Sequence, residues 1–160
     1  MKGLELNESF YNHIVAEILK SNFPSLEYSA ALIGWGSEVL GFDDEVSTDH
    51  NWGLRFQTFL SAPDYAKRFD AVNQVLNEQL PAQFQGFPTG FEIRVNRDQR
   101  GDRKDKRIKH NIDVETIEGF FSRYLGCQPD TKLSAADWLA FPDRSIRCAH
   151  VPARPWRSRR

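Results

Sequence analysis

Cysteine is scarce in this chain. Its 160 residues hold two, Cys127 and Cys148, outside any CxxC spacing, so neither a zinc ribbon nor a disulfide framework is indicated and both read as reduced structural thiols. Long apolar runs are missing as well. No stretch of eighteen apolar residues occurs, and "MKGLELNESF" lacks the apolar centre of a signal peptide, so no membrane helix is expected and cytoplasm is the expected location. Neither GxxxxGKS nor GxGxxG is present, which removes the two common glycine-rich nucleotide loops. Internal repeats are absent too, which removes solenoid and propeller architectures.

Net charge is also small: 21 Lys and Arg against 22 Asp and Glu. The distribution is uneven, because the last seventeen residues, "RSIRCAHVPARPWRSRR", carry six arginines and no acid. Residues 1–143 are therefore acidic, which argues against nonspecific nucleic-acid binding except through the basic tail. The tail, 144–160, holds Pro152 and Pro155 and no apolar period, and reads as extended or disordered.

What is present is an ordinary globular composition, 40% hydrophobic and 27% charged, long enough for one domain with its own core. Phe10, Ile14, Val15, Ile18 and Leu19 form one helical stripe over 7–22, with Asn7 or Ser9 available as cap and Pro24 as stop. "EYSAALIGWG" is a short apolar run closed by glycines, suited to a buried strand feeding a turn. Residues 50–56 alternate His50, Trp52, Leu54 and Phe56 against Asn51, Gly53 and Arg55. That period of two predicts a half-buried strand with Asp49 and Asn51 on its polar face and His50 packed opposite.

Ser61, Pro63 and Asp64 open a helix carrying Tyr65, Phe69, Val72, Leu76 and Leu80. "GFEIRV" and "RIKHNIDV" alternate around the charged "NRDQRGDRKDK" and predict a hairpin, with His110 inward and satisfied. Thr116 to Gly126 reads as a helix, and Ser134 with Asp137 as the capping box of another. The element order predicts an α/β (α+β) domain over 1–143, a mixed sheet packed by helices with a helical C-terminal segment.

The chemistry gathers in "ALIGWGSEVLGFDDEVSTDHNWGLRF", residues 31–56. A Gly-Ser pair after a strand offers backbone N–H groups, a hydroxyl and a helix N-terminus to phosphate oxygens. Twelve residues beyond Ser37 stands Asp49, and metal-assisted phosphoryl chemistry needs carboxylates near the phosphates such a turn holds. Asp43, Asp44 and Glu45 suit a solvated loop, and His13, His50, His110 and His150 have no spacing for a metal or a triad.

"GWGSEVLGFDDEVSTDHNWG" resembles the nucleotidyltransferase superfamily pattern of a hydrophobic residue, Gly, Gly or Ser, then Asp-x-Asp/Glu on the next strand. It looks closer still to the family domain of unknown function 4037. A second run matches it at Thr116, Ile117, Phe120, Leu125, Gly126, Leu133, Asp137, Trp138, Leu139 and Pro142. The resemblance covers roughly 26–143. It implies a nucleoside triphosphate bound through Mg²⁺, with Gly36 and Ser37 on the phosphates, Asp49 and position 51 on the metal, and a third acid at Asp113 or Glu92, Asp113 preferred. The chain departs from the pattern at Asn51, where the superfamily places an acid. A carboxamide offers a neutral oxygen to a hard cation, and one charge pair near 4 Å at an effective dielectric of about 20 is worth roughly 4 kcal/mol before solvation offsets it. The resemblance also implies a longer protein with a helical C-terminal part, so a truncated copy is one expectation.

Two functions follow from these residues. One is an enzyme that transfers a nucleotidyl group to an unknown acceptor, impaired at Asn51. The other is a non-catalytic nucleotide-binding or interaction module, or a truncated gene product.

Overall fold

The computed structural model describes residues 2–34, 39, 53–92, 108–140 and 156–157. The chain opens with α1 (Gly3–Phe10), a π-helical turn (Tyr11–Val15) and α2 (Ala16–Asn22) in one continuous rod. Its large buried apolar residues are Leu6, Phe10, Tyr11, Val15 and Leu19. The step from Phe10 to Tyr11 is a slip of one residue in an otherwise four-residue spacing, which is what the wider π turn absorbs. Ile14 and Ile18, expected in the stripe, are only partly buried for that reason, and Tyr11 takes their place. Its ring meets Phe56 edge-on at 5.7 Å and its hydroxyl donates to the Tyr28 hydroxyl at 3.4 Å.

Asn7 is not a cap. It sits inside α1 with no exposed surface. Its Nδ2 donates to the carbonyls of Gly3 and Gly53, both at 2.9 Å, and its Oδ1 accepts from the Arg55 N–H at 2.8 Å. A buried amide can be satisfied in this way only if another backbone segment runs past it. Asn7 thus ties the first helix to the chain entering the central sheet.

That sheet has the order β7-β2-β1-β8, built from β1 (Tyr28–Ala31), β2 (Phe56–Leu60), β7 (Ile112–Glu115) and β8 (Trp156–Arg157). β1 runs antiparallel to β2 and to β8, and β7 runs parallel to β2. The tail therefore contributes an extended pair of residues to the sheet edge. Between β2 and β7 lie α3 (Ala62–Gln79), the hairpin β3 (Gln83–Phe84) and β4 (Phe87–Pro88), and the antiparallel pair β5 (Gly90–Glu92) and β6 (Ile108–His110). α4 (Ile117–Leu125) and α5 (Ala135–Ala140) follow β7.

The expected strand over 50–56 shifts. Residues 50–52 lie outside the described residues, Gly53 and Leu54 form a bend, and the ladder begins only at Phe56. Two causes are visible. Gly53 has φ 144°, a conformation open to glycine, and Asn7 takes the Gly53 carbonyl and Arg55 N–H. β2 itself, FQTFL, is buried at all five positions. A central strand covered on both faces shows no alternation, so its sequence carries no period-two signal.

The predicted strand 107–114 is also divided. β6 pairs with β5 as the hairpin requires, but the chain turns at Asn111 and β7 joins the main sheet. At the junction side chains take the backbone donors: Asn77 Oδ1 accepts from the His110 N–H at 3.1 Å, and His110 Nδ1 accepts from the Ile112 N–H at 3.2 Å.

Alternation along β1, β2 and β7 sorts two cores. Ala30, Phe56, Leu60, Ile112 and Val114 face α1, α2 and α3, whose Val72 and Leu76 are fully buried. Ala31 and Phe59 face α4 through Phe120, with Phe121 and Tyr124 around it. α3, α4 and α5 start as the sequence predicts. Ser61 Oγ accepts from the Asp64 N–H at 3.2 Å, Thr116 Oγ1 accepts from the Gly119 N–H at 2.9 Å, and Asp137 accepts from the Ser134 N–H at 2.8 Å in a reciprocal box. Gly126, at φ 68°, closes α4 in the left-handed conformation. Among the described residues no helix is long and apolar enough to cross a membrane.

Candidate functional site

Strand direction decides which chain ends meet. Because β1 is antiparallel to β2 and β7 is parallel to it, the exit of β1, the entry to β2 and the entry to β7 lie on one edge of the sheet. Ala31, Gln57 and Asp113 form one row across the three strands at that edge. Gln57, buried between them, locks the exit of β1: its Oε1 accepts from the Ile33 N–H at 3.0 Å. Gly34 follows at φ 100°, so the turn out of β1 needs glycine there.

Gly36, Ser37, Asp49 and Asn51 lie outside the described residues. The segments that flank them are described, and both end at the edge just named: residue 34 leaves β1 there and residue 53 approaches β2 there. Val39, between them, is helical. Asp113 stands on β7 in register with Gln57, exposed, between the buried Ile112 and Val114. Glu92 stands elsewhere, opposite Ile108 in the separate β5/β6 ladder. Of the two acids proposed as the third, Asp113 is thus the one in the main sheet.

Glu115 was not anticipated. It lies two residues after Asp113 on the same face of β7, opposite Phe59, and is 3% exposed. Neither carboxylate oxygen has a hydrogen-bond partner among the described residues. Arg123, projecting from α4 and 60% exposed, brings Nη1 to 3.4 Å from Oε2. Burial pushes the Glu115 carboxyl above its ordinary range, the Arg123 charge opposes this, and Asp113 adds to it. Tyr124, the α4 residue after Arg123, is likewise raised by burial and then by the charges of Asp113 and Glu115. The signal for Glu115 was available: "IDVE" alternates apolar and acidic residues, which sets both acids on one strand face.

A cleft of about 260 Å³ runs along the outer edge of β7, between Tyr65, Phe69 and Asn73 of α3 and Arg123 of α4. His110 lines it, buried as expected. Its Nδ1 accepts a hydrogen bond, so the ring proton resides on Nε2, which has no hydrogen-bond partner among the described residues. Burial pushes this imidazole below its ordinary value. A metal-binding histidine donates from its second nitrogen, and His110 accepts there instead, so it is no ligand in this arrangement.

No group of three His, Cys, Asp or Glu side chains arranged to hold a metal ion occurs among the described residues. What they do offer is a pair of oxygen donors, Asp113 and Glu115, the second with two orphaned oxygens. That donor chemistry fits a hard divalent cation, which binds through one or two carboxylates and keeps several waters. No protein-family model, curated protein or solved structure matches the chain.

Proposed function

We propose that this chain is a nucleotidyltransferase-like protein. In this reading the mixed sheet packed by helices carries a site for a nucleoside triphosphate at one edge, weakened by Asn51. What supports the reading is topological: residue 34 leaves β1, residue 53 approaches β2 and Asp113 stands on β7 at one edge of the mixed sheet, the edge at which the segments carrying Gly36, Ser37, Asp49 and Asn51 join the described chain. In this reading Gly36 and Ser37 offer N–H and hydroxyl donors to phosphate oxygens, while Asp49 and Asp113 supply the charged oxygens for Mg²⁺. When bound, the cation neutralises the phosphates and aligns them for in-line attack at the α-phosphate. Asn51 supplies a carbonyl oxygen in place of a charge, so metal and triphosphate are held weakly and transfer is slow or absent.

Calorimetric titration of the native chain and of Asn51→Asp with each nucleoside triphosphate and Mg²⁺ tests this. The expected result is weak binding by the native chain and binding at least ~10-fold tighter by the variant, since one restored charge contact is worth about 1.5–3 kcal/mol. Equal affinities, or no binding by either, would remove the reading.

The second reading, a non-catalytic binding or interaction module on the same fold, has the exposed α5 in its favour. Trp138 and Leu139 are 44% and 84% exposed, and α5 buries none of its residues.

A further inference from the structure

We propose that Asp113 and Glu115 form a divalent-cation seat of their own, and that Arg123 is the internal counter-ion the metal displaces. The inference rests on the edge-site reading for Asp113 and adds Glu115 and Arg123, which that reading does not use.

Three observations converge. First, the two acids are spaced i, i+2 on β7, so they share one face, and each influences the same neighbour, Tyr124. Second, Glu115 is almost wholly enclosed, yet among the described residues no N–H or O–H donates to either oxygen. A buried carboxylate normally has several donors, and a structural ion pair that repays its desolvation has short, well-formed hydrogen bonds. Third, the cation present is not closely seated on Glu115. Arg123 approaches it at 3.4 Å, also bonds the Tyr124 side chain, and keeps most of its own side chain in solvent at the end of α4. The guanidinium can swing outward without disturbing the core that Phe120 makes with Phe59.

Replacing Arg123 by a metal ion alters both terms of the electrostatic energy. The charge doubles, and the contact shortens from 3.4 Å to about 2.0–2.2 Å for Mg²⁺ or Mn²⁺. Asp113, exposed and two residues away, supplies the second oxygen, and water fills the remaining positions. The cleft along β7 gives that water room.

Mn²⁺ binding, followed by electron paramagnetic resonance of the free ion in the absence of nucleotide, tests the seat in the full chain. The native protein is expected to bind weakly. Arg123→Gln removes the competitor, so it should bind at least ~5-fold tighter, and Glu115→Gln at least ~10-fold weaker, in line with the loss of one charge-assisted contact. Arg123→Gln changes a mostly exposed side chain, so it stays informative even if the Glu115 variant folds poorly. Native-like affinity in a folded Glu115→Gln, or unchanged or weaker binding in Arg123→Gln, overturns the proposal and leaves Glu115–Arg123 as a structural ion pair. The two readings fail separately. Asn51→Asp gaining triphosphate affinity while both β7-side variants bind Mn²⁺ like the native chain would retain the edge site and remove this seat; the reverse pattern would retain the seat alone.

Discussion

Replacing Asn7 by alanine should cost far more than a substitution at an ordinary position of a helix. The side chain has no exposed surface and makes three hydrogen bonds, two to carbonyls at 2.9 Å and one from a backbone N–H at 2.8 Å. Each is worth about 0.5–1.5 kcal/mol net, and a buried group left without its partner costs about 1–3 kcal/mol. Alanine removes all three and leaves the Gly53 carbonyl and Arg55 N–H without these partners, so a loss of roughly 3–4 kcal/mol is expected. At about 2–4 °C per kcal/mol for a chain of this size, the melting temperature falls by roughly 6–16 °C. Asn7→Asp is a sharper probe of the bonding pattern. It keeps an acceptor for Arg55 but sets an oxygen against two carbonyls, and should be no more stable than the alanine variant at neutral pH. Urea unfolding of the three proteins measures this. A loss below about 1 kcal/mol for alanine, or native-like stability for aspartate, would refute the role of Asn7 as the tie between α1 and the entry to β2.

Two further outcomes follow from local geometry. Ser61→Ala removes the cap of the eighteen-residue α3 and should cost about 1 kcal/mol in urea unfolding, with Ser61→Asp close to native. Glu115 has a pH signature. Burial raises its folded value above the ordinary 4.5, so the folded state holds this proton more tightly than the unfolded state. Its favourable contribution is full below about pH 4.5 and is lost as pH rises through the raised folded value. The stability difference between native and Glu115→Gln should therefore move against the native chain between pH 4 and pH 7. A difference that is flat, or that favours the native chain as pH rises, would contradict the burial of an under-bonded carboxylate.

The helices were legible because their signals are local. Ser61, Thr116, Ser134 and Gly126 each act within one turn of their own position, and the structure uses them in that way. The strands were less so, because burial on both faces and side chains from distant segments set their limits. β2 reads as unpatterned sequence since both α3 and α4 cover it, and its start is moved by Asn7, 48 residues earlier than Arg55. The division of 107–114 into β6 and β7 depends on Asn77, which no pattern within that stretch reveals. At the candidate site, Asp113 and Glu92 enter through the resemblance to the nucleotidyltransferase pattern, and strand register places Asp113 in the main sheet. Glu115 obeys the same alternation, but its burial and its approach by Arg123 of α4 depend on packing that the strand's own sequence does not show. The π turn left no sequence signal other than the extra buried position, Tyr11.

The most direct test of the shared edge is Mg²⁺-dependent triphosphate binding by Asn51→Asp, compared with the same variant also carrying Asp113→Asn. If the entry to β2 and the entry to β7 meet at one cation, the second substitution should cancel most of the affinity gained by the first. If the double variant binds as tightly as Asn51→Asp alone, Asp113 does not share the metal with residue 51, and the edge site as assembled from the strand order is wrong.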